Sequence, residues 1–211
     1  MSKFRCDISI SLDGFVAGPN QSAENPLGEG GEHLHEWVVP LAAWREPHGK
    51  EGGEVNVSTR VLDEARENVG AAVMGRNMFG PPGGGAWDGS WNGWWGDVPP
   101  YGYPVFVVTH HPRDPLVMEG GTTFHFITDG IESALEQAKA AAGDKDVMLW
   151  GGGQIIREYL AARLLDELEL HVAPVLLGAG SRIFEGLEGV QFEQIRAIEA
   201  PGVTHLKYAV K

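Results

Sequence analysis

Three consecutive glycines, Gly151 to Gly153, stand between an apolar run and an amphipathic segment. The run at residues 147–150 is typical of a strand buried on both faces, and the apolar side chains after the glycines recur at helical spacing. In such a strand–glycine–helix turn, backbone N–H groups and a helix N-terminus face one place, which suits a phosphate or pyrophosphate. A triple glycine that only makes a tight turn is the alternative. The position at the end of a buried strand favours the binding interpretation.

The known phosphate-binding fingerprints do not match this turn. A P-loop has lysine and then serine or threonine before its helix, whereas Gly153 is followed by Gln154 and Ile155. The dinucleotide fingerprint, begun at Gly151, needs a glycine where Ile156 stands. A nucleotide that binds here therefore binds through a different fold.

Basic side chains follow two other apolar runs, at residues 71–74 and 105–109. In open α/β sheets, ligands bind outside the carboxyl ends of the strands. Three such turns together predict an extended, phosphate-bearing ligand, although a structural salt bridge is an alternative role for the first cation. The basic residues are Arg76, His110, His111 and Arg113.

Composition excludes several classes of protein. The formal net charge of −13 argues against nucleic acid or an anionic membrane as partner. Cys6 is the only cysteine, so neither a disulfide framework nor a thiolate metal cluster is expected, and no metal site is predicted. No apolar run is long enough to span a bilayer, and residues 1–7 lack a signal-peptide pattern. We expect a cytoplasmic location.

The order of the predicted elements is that of an α/β fold. Strands and helices alternate through the middle of the chain, and Pro201-Gly202 joins two final strands as a hairpin. This order predicts a mixed, mostly parallel sheet flanked by helices, with C-terminal antiparallel strands. In the strand that follows residue 165, Glu167, Glu169 and His171 alternate with apolar residues, which predicts one solvent-exposed face. The helices are predicted at residues 32–44, 58–68, 128–142 and 154–164. Pro40 is expected to kink or divide the first helix, and Ser58 or Thr59 to cap the second.

The segment at residues 80–104 fits no regular element, because it is rich in proline, glycine and tryptophan. Long loops of this kind are usually functional or mobile. Clustered tryptophans could stack on a flat ring, cover a hydrophobic surface or form a subunit contact. We favour a rim of the ligand pocket or an oligomer contact. The tryptophans are Trp87, Trp91, Trp94 and Trp95.

Five motifs, in order along the chain, resemble those of the dihydrofolate-reductase-like fold, and within it the reductase domain of riboflavin biosynthesis. The resemblance covers most of the chain and implies a single domain over residues 1–211 with an insertion at 80–104. The motifs are "ISLDGFVAG" at 10–18, "VMGRNMF" at 73–79, "VFVVTHHPR" at 105–113, "VMLWGGGQIIREYL" at 147–160 and "LLDELELHVAPVLLGAGSRIF" at 164–184.

The resemblance implies NADPH as cofactor. The triple-glycine turn would hold the pyrophosphate beside the nicotinamide, and Arg76 would meet the 2′-phosphate, since a guanidinium suits a phosphate dianion. The residues implied at the pyrophosphate and nicotinamide are Ala17, Gly18, Trp150, Gly151, Gly152, Gly153, Gln154 and Ile155. Those implied at the other phosphates and the adenosine are Gly75, Arg76, Asn77, Thr109, His110, His111 and Arg113.

The resemblance also implies hydride transfer to a pyrimidine or pterin-like heterocycle, such as 5-amino-6-(5-phosphoribosylamino)uracil. Asp13 matches the pocket-lining riboflavin-type motif, and turn formation with Gly14 is its structural alternative. In dihydrofolate reductases a carboxylate on the first helix holds the pterin, and Glu36 is the candidate by position. Its alternative is a solvated helix carboxylate.

Other functions stay open from the sequence. One is a reductase of the dihydrofolate or pterin type with another substrate. A second is a non-catalytic nucleotide-binding protein of the same fold, and a third is a tryptophan-rich interaction module. From the family and the aromatic loop we expect a homodimer.

Overall fold

The computed structural model describes residues 2–81, 86–87 and 89–211. Part of the tryptophan-rich segment, at residues 82–85 and 88, lies outside the described residues. A nine-stranded sheet and a two-stranded sheet hold the chain together. The strands are β1 (Phe4–Ser11), β2 (Phe15–Ala17), β3 (Val69–Gly75), β4 (Pro104–Val108), β5 (Leu116–Val117), β6 (Thr123–Ile127), β7 (Asp146–Leu149), β8 (Glu167–Ala173), β9 (Ser181–Arg182), β10 (Phe192–Ala200) and β11 (Val203–Val210).

The main sheet has the strand order β10-β11-β8-β1-β7-β3-β4-β6-β5. Every pairing from β8 across to β6 is parallel, and the pairings β10–β11, β11–β8 and β5–β6 are antiparallel. The predicted fold class is therefore confirmed. Because β1, β7, β3 and β4 are adjacent and parallel, their carboxyl ends lie at one edge of the sheet.

Five α-helices are present among the residues that the structure describes. They are α1 (Ala42–Arg45), α2 (Val57–Arg66), α3 (Arg76–Phe79), α4 (Ile131–Ala142) and α5 (Gly153–Ala161), with short 3₁₀ turns at Gly31–His35, Glu46–His48 and Glu119–Gly121. The side chain of Asn56 accepts a hydrogen bond from the backbone N–H of Ser58 and begins α2, where the sequence suggested Ser58 or Thr59 as the cap.

The helix predicted at residues 32–44 is divided, which is one of the two outcomes expected from Pro40. A 3₁₀ turn ends at His35, and a second helical turn begins only at Ala42. Pro40 divides them, because proline has no N–H to donate and its ring disfavours helical geometry in the preceding residue. No helix among the described residues is long and apolar enough to cross a membrane.

The two faces of the main sheet are covered differently. Helices α4 and α5 pack on one face, over a large apolar cluster that includes Phe4, Leu149 and Tyr159. On the other face two separate clusters form, one under the tryptophan-rich segment and one around Trp37 and Leu41. The polar side of β1 lies on this second face, between the two clusters.

The tryptophan-rich segment covers its own sheet. Trp87, Trp91 and Trp95 pack with the cluster that holds Phe79 and Phe124, in mostly edge-to-face ring contacts. This is the surface-covering role that the sequence left as an alternative. Trp87 also lies at the strand-end site described below.

The predicted solvent-exposed face of β8 is wrong. Glu167, Glu169 and His171 are all buried, because β8 is an interior strand between β1 and β11. Trp37 packs against His171 on the second face of this strand. The two carboxylates are compensated by ion pairs. Glu167 pairs with Lys3 and with Lys207 at 2.9 Å, while Arg196 reaches Glu169 at 2.9 and 3.1 Å.

Candidate functional site

The ends of β3 and β7 meet at the first turn of α5. The Gly75 N–H donates to the Gly151 carbonyl at 2.7 Å. A Cβ on Gly75 would lie 3.3 Å from Ile155 Cγ2 and 3.5 Å from the Gly152 nitrogen. The Gly151–Gly152 peptide bond is cis. Two of the turns picked out in the sequence therefore lie in contact, with bare backbone on both sides.

Gly152 and Gly153 have opposite surroundings. A Cβ on Gly152 would meet nothing within 4 Å, so this residue borders open space. A Cβ on Gly153 would lie 2.5 Å from Ser181 Oγ and 2.9 Å from Val16 Cγ2. Gly153 thus holds α5 against the small β2–β9 sheet, while Gly152 leaves room for another molecule.

The small β2–β9 sheet places Ala17 and Gly18 beside the glycine turn. Ala17 pairs with Ser181 in β2–β9, and a Cβ on Gly180 would lie 2.0 Å from the Ala17 carbonyl oxygen. The backbone N–H of Gly18 donates to the Leu27 carbonyl at 2.8 Å. Both predicted residues are fixed by backbone contacts at one border of the glycine turn.

Two guanidinium groups lie close together after β3 and β4. Arg76 stacks on the Trp87 ring at 3.9 Å and donates to the Pro81 carbonyl at 2.9 Å, while its Nε is buried without a hydrogen bond. Arg113 lies 5.6 Å from the same ring and donates to the Trp91 carbonyl at 2.7 Å. Burial and the charge of Arg113 lower the pKa of Arg76. Within the described residues neither arginine has a carboxylate partner, so the pair presents uncompensated positive charge.

The remaining predicted residues of this border differ in exposure. Thr109 is buried, and its Oγ1 accepts a hydrogen bond from the His111 N–H at 3.1 Å. The His111 carbonyl accepts from Trp87 Nε1 at 2.7 Å. His110 and Asn77 are exposed at the same border. The side chain of Gln154 instead donates to Glu158 on the surface of α5, at 2.9 Å.

The Asp13 carboxylate is held by three hydrogen bonds. Its carboxylate accepts from the backbone N–H groups of Leu177 at 3.1 Å and Gly178 at 2.7 Å, and from Ser11 Oγ at 2.6 Å. The Ser11 bond, with those from Gly178 and Leu177, lowers the pKa of Asp13 to about 2. This geometry ties the turn after β1 to the segment after β8.

Glu36 is exposed and pairs with a histidine of the same turn. His33 Nδ1 lies 2.6 Å from Glu36 Oε1, and this bond raises the pKa of His33. A cavity of about 280 Å³ opens beside the pair. It is lined by Trp37, Pro40, Glu54, Asn56, Pro174, Val175, Pro201 and Gly202 together with His33 and Glu36. The ends of β3 and β7 do not line it, so the structure does not bring Glu36 to the glycine turn.

Asp7 and Tyr103 are polar residues that the sequence analysis did not single out. Asp7 pairs in register with Glu169 on one side, and Cys6 pairs with Leu149 on the other, which places Asp7 beside Trp150. Trp150 Nε1 donates to the Tyr103 hydroxyl at 3.1 Å. The strict alternation of β1, with Phe4 and Cys6 on the opposite face, is the signal that could have found Asp7.

The arrangement suits an elongated anionic molecule with a flat end. Bare backbone and a helix N-terminus at Gly152 provide for a phosphate group, and the two arginines provide for a second one. Beyond the glycine turn, Trp150 presents an indole ring. No group of three potential metal ligands converges among the described residues.

Comparison with known proteins gives a match to a family model and a match to a relative over a short segment. The model of the RibD C-terminal domain matches residues 2–206. The uncharacterized protein YyaP of Bacillus subtilis is 37% identical over 59 residues, which span 28% of this chain and only 31% of the relative.

Solved structures with the same fold cover nearly the whole chain. A protein of Shewanella sp. PV-4, described as a candidate riboflavin biosynthesis protein, has 23% identity and a TM-score of 0.64, with 99% of both chains covered. Acinetobacter baumannii RibD has 16% identity and a TM-score of 0.60, over 100% of this chain and 58% of the other. The riboflavin biosynthesis reductase Rib7 of Saccharomyces cerevisiae has 13% identity and a TM-score of 0.53, over 100% and 89%. These identities support the fold alone.

Proposed function

The chain belongs to the RibD C-terminal domain family, and from this premise we propose that it is an NADPH-dependent reductase of a pyrimidine or pterin-like heterocycle. The observation that carries the proposal is the meeting of Gly75, Gly151 and Gly152 at one open point beside two arginines. Neither arginine has a carboxylate partner in the part of the chain that the structure describes. A flexible nucleotide that carries a pyrophosphate and a separate 2′-phosphate fits that combination.

The residues of this chain would hold the cofactor along the sheet edge. Backbone N–H groups at Gly152 and Gly153 would bind the pyrophosphate, with Ile155 and Gly75 packed behind them. Arg76 and Arg113 would neutralise the 2′-phosphate, and Trp87 would keep the first of these guanidiniums in place. His110, His111, Thr109 and Asn77 would border the adenosine, and Ala17, Gly18 and Trp150 the nicotinamide.

The cofactor supplies a hydride, and the protein supplies geometry and exclusion of water. Asp13 would act as a positioning residue, because its carboxylate holds the Leu177–Gly178 backbone against the turn after β1. Glu36 stays a candidate for a substrate contact only if the substrate extends into the cavity beside His33. We also propose that the protein acts as a homodimer in the cytoplasm.

Titration of the apoprotein with NADPH and with NADH, followed by tryptophan fluorescence, tests the proposal. Wild-type protein should prefer NADPH. The substitution Arg76→Ala should weaken NADPH binding by about tenfold to a hundredfold, because a charge-assisted phosphate contact is lost. The affinity for NADH, which lacks the 2′-phosphate, should change by less than about threefold.

Arg45→Ala is the matched control, since Arg45 also donates to backbone carbonyls, those of Glu51 and Gly52, but on a different part of the surface. It should leave both affinities unchanged. Equal losses of NADPH and NADH in Arg76→Ala would refute the assigned phosphate contact. Absence of binding of either nucleotide would refute the function. Oxidation of NADPH with a panel of pterins, folates and flavin precursors then separates a reductase from a binding protein of the same fold.

A further inference from the structure

The cavity beside Glu36, which we call the Trp37 cavity, lies away from the proposed cofactor edge. It has a volume of about 280 Å³ and is bounded by four separate segments, within residues 33–40, 54–56, 174–175 and 201–202. Neither Gly75 nor Gly152 lines it. The cofactor proposed above therefore does not account for this cavity.

The walls of the Trp37 cavity are held in place before any ligand arrives. The Glu54 N–H donates to the Pro40 carbonyl at 2.8 Å, and the Leu12 N–H donates to the Val175 carbonyl at 2.9 Å. Proline, which fixes its own φ, occurs on three of the four segments. These prolines are Pro40, Pro174 and Pro201. Because the cavity is formed in advance, a ligand would lose little free energy to the ordering of its walls.

The indole of Trp37 lies between the cavity and the main sheet. Its N–H donates to Ser9 Oγ on β1 at 3.2 Å, and its ring contacts the rings of His171 and His205 at 4.9 and 5.1 Å. Burial lowers the pKa of these two histidines, to about 3 and about 4 respectively. Both imidazoles are therefore uncharged at neutral pH, and neither repels a cation on the far side of the indole.

The carboxylates that line the Trp37 cavity are not neutralised by lysine or arginine. Glu54 has no ion-pair partner among the described residues, and Glu36 is paired with His33. In the part of the chain that the structure describes, no lysine or arginine lines the cavity. An indole ring attracts a cation through its quadrupole, and a carboxylate accepts two parallel hydrogen bonds from an amidinium or guanidinium group. These groups together suit a positively charged organic molecule.

We propose that the Trp37 cavity is a second binding site, which takes a small organic cation with a flat apolar body. The apolar body would pack against the prolines and Trp37, and the charged end would meet Glu54 and Glu36. The volume is close to that of the smallest ligand pockets, about 300 Å³, so a single substituted ring has the right size and a dinucleotide does not. This inference goes beyond the proposed function and does not depend on it.

Two probes of nearly the same shape and different charge test the assignment. The affinities of benzamidine, an aromatic amidinium, and of benzamide, its neutral counterpart, are measured by isothermal titration calorimetry at about pH 7 and low ionic strength. Wild-type protein should bind benzamidine with a dissociation constant of about 0.1–1 mM, as expected for a ligand of this size. Benzamide should bind at least about tenfold more weakly, because it lacks the charge-assisted hydrogen bonds to a carboxylate.

A pair of glutamate variants locates the bound cation. Glu54→Gln, which keeps the shape of the side chain, should weaken benzamidine binding by about fivefold to tenfold and leave benzamide binding within about twofold of wild type. Glu136→Gln is the matched control, since Glu136 is an exposed glutamate of α4 on the opposite face of the sheet. It should leave both affinities unchanged. Thermal unfolding of the two variants checks that they are folded.

The cofactor titration separates this site from the proposed cofactor edge. The benzamidine affinity should stay within about twofold when NADPH is present at saturation. Absence of benzamidine binding, equal affinities for the two probes, an unchanged benzamidine affinity in Glu54→Gln, or displacement of benzamidine by NADPH would each overturn the assignment. Failure of the protein to bind NADPH would overturn the reductase proposal alone.

Discussion

Replacing Asp7 with asparagine should stabilise the folded protein at neutral and higher pH. Burial, reinforced by the charge of Glu169, raises the pKa of the Asp7 carboxyl from 3.8 to about 7, although Arg5, Lys207 and Arg196 act in the opposite direction. At about 1.36 kcal/mol per pKa unit, this rise corresponds to an upper limit of about 4 kcal/mol. Since Asp7 keeps partial exposure, we expect Asp7→Asn to raise the free energy of unfolding by about 2 to 4 kcal/mol. That is a large share of the free energy of unfolding of a typical domain, which is roughly 5–15 kcal/mol.

The sign follows from proton linkage. Between the unfolded pKa of 3.8 and the folded pKa of about 7, the folded state binds more protons than the unfolded state. The wild-type free energy of unfolding therefore contains a contribution that falls as pH rises through this window and then levels off. Asparagine does not titrate, so the stability difference between variant and wild type isolates this contribution from every other group.

Urea unfolding of both proteins at steps from about pH 4 to about pH 8 measures this difference. The advantage of Asp7→Asn should be smallest near pH 4 and grow to its full value above pH 7. A difference that does not change with pH would refute the account of a carboxyl held in an unfavourable environment.

Three further predictions concern other parts of the structure. Gly152→Ala should leave the thermal midpoint of unfolding nearly unchanged and weaken NADPH binding. Gly153→Ala should lower this midpoint, because its Cβ would collide with Ser181. The reverse pattern would contradict the roles assigned to the two glycines. Asp13→Asn should lower the free energy of unfolding above about pH 4. This loss of stability should shrink as pH falls toward 2, where the wild-type carboxylate is itself protonated. Equal losses of stability at every pH would contradict the lowered pKa of Asp13. Burial, then the charges of His205 and Arg196, lower the pKa of His171 to about 3, so the wild-type free energy of unfolding should fall as pH decreases below about 6.5. His171→Gln should make urea unfolding less sensitive to acid. An unchanged sensitivity would count against a neutral buried imidazole.

Much of the fold was predictable because it depends on local patterns. Apolar runs of four or five residues located β3, β4 and β7 to within about two residues. Parallel order then required the turns after β3 and β7 to share one edge. The contact of Gly75 with Gly152 and Ile155 is the consequence of that order.

The errors arose where tertiary contacts override local pattern. The alternation of Glu167, Glu169 and His171 looks like a half-exposed strand, and only the position of β8 inside the sheet buries it. The ion-pair partners of its glutamates, Arg196 and Lys207, lie in strands later in the chain, so the sequence around β8 does not indicate them.

Asp7 shows the same limit at the candidate site. The type of Asp7 and its place in β1 are readable from the sequence, but the lack of a hydrogen bond at its Oδ2 depends on how the neighbouring cations pair. Arg196 of β10 pairs with Glu64 of α2 and Glu169 of β8, and Lys207 of β11 pairs with Glu167 of β8. The roles of the cofactor and substrate residues stay predictions until ligands are measured.

The contact between the tryptophan-rich segment and the turn after β4 has a consequence for sequence divergence. The Trp91 carbonyl accepts a hydrogen bond from Arg113. The Trp87 indole N–H donates to the His111 carbonyl, and the Trp87 ring stacks on Arg76. The same segment shields Phe124 from water. A homologue that shortens this insertion would lose a hydrophobic cover and two arginine supports in a single deletion, so insertion length and dinucleotide preference should vary together among relatives.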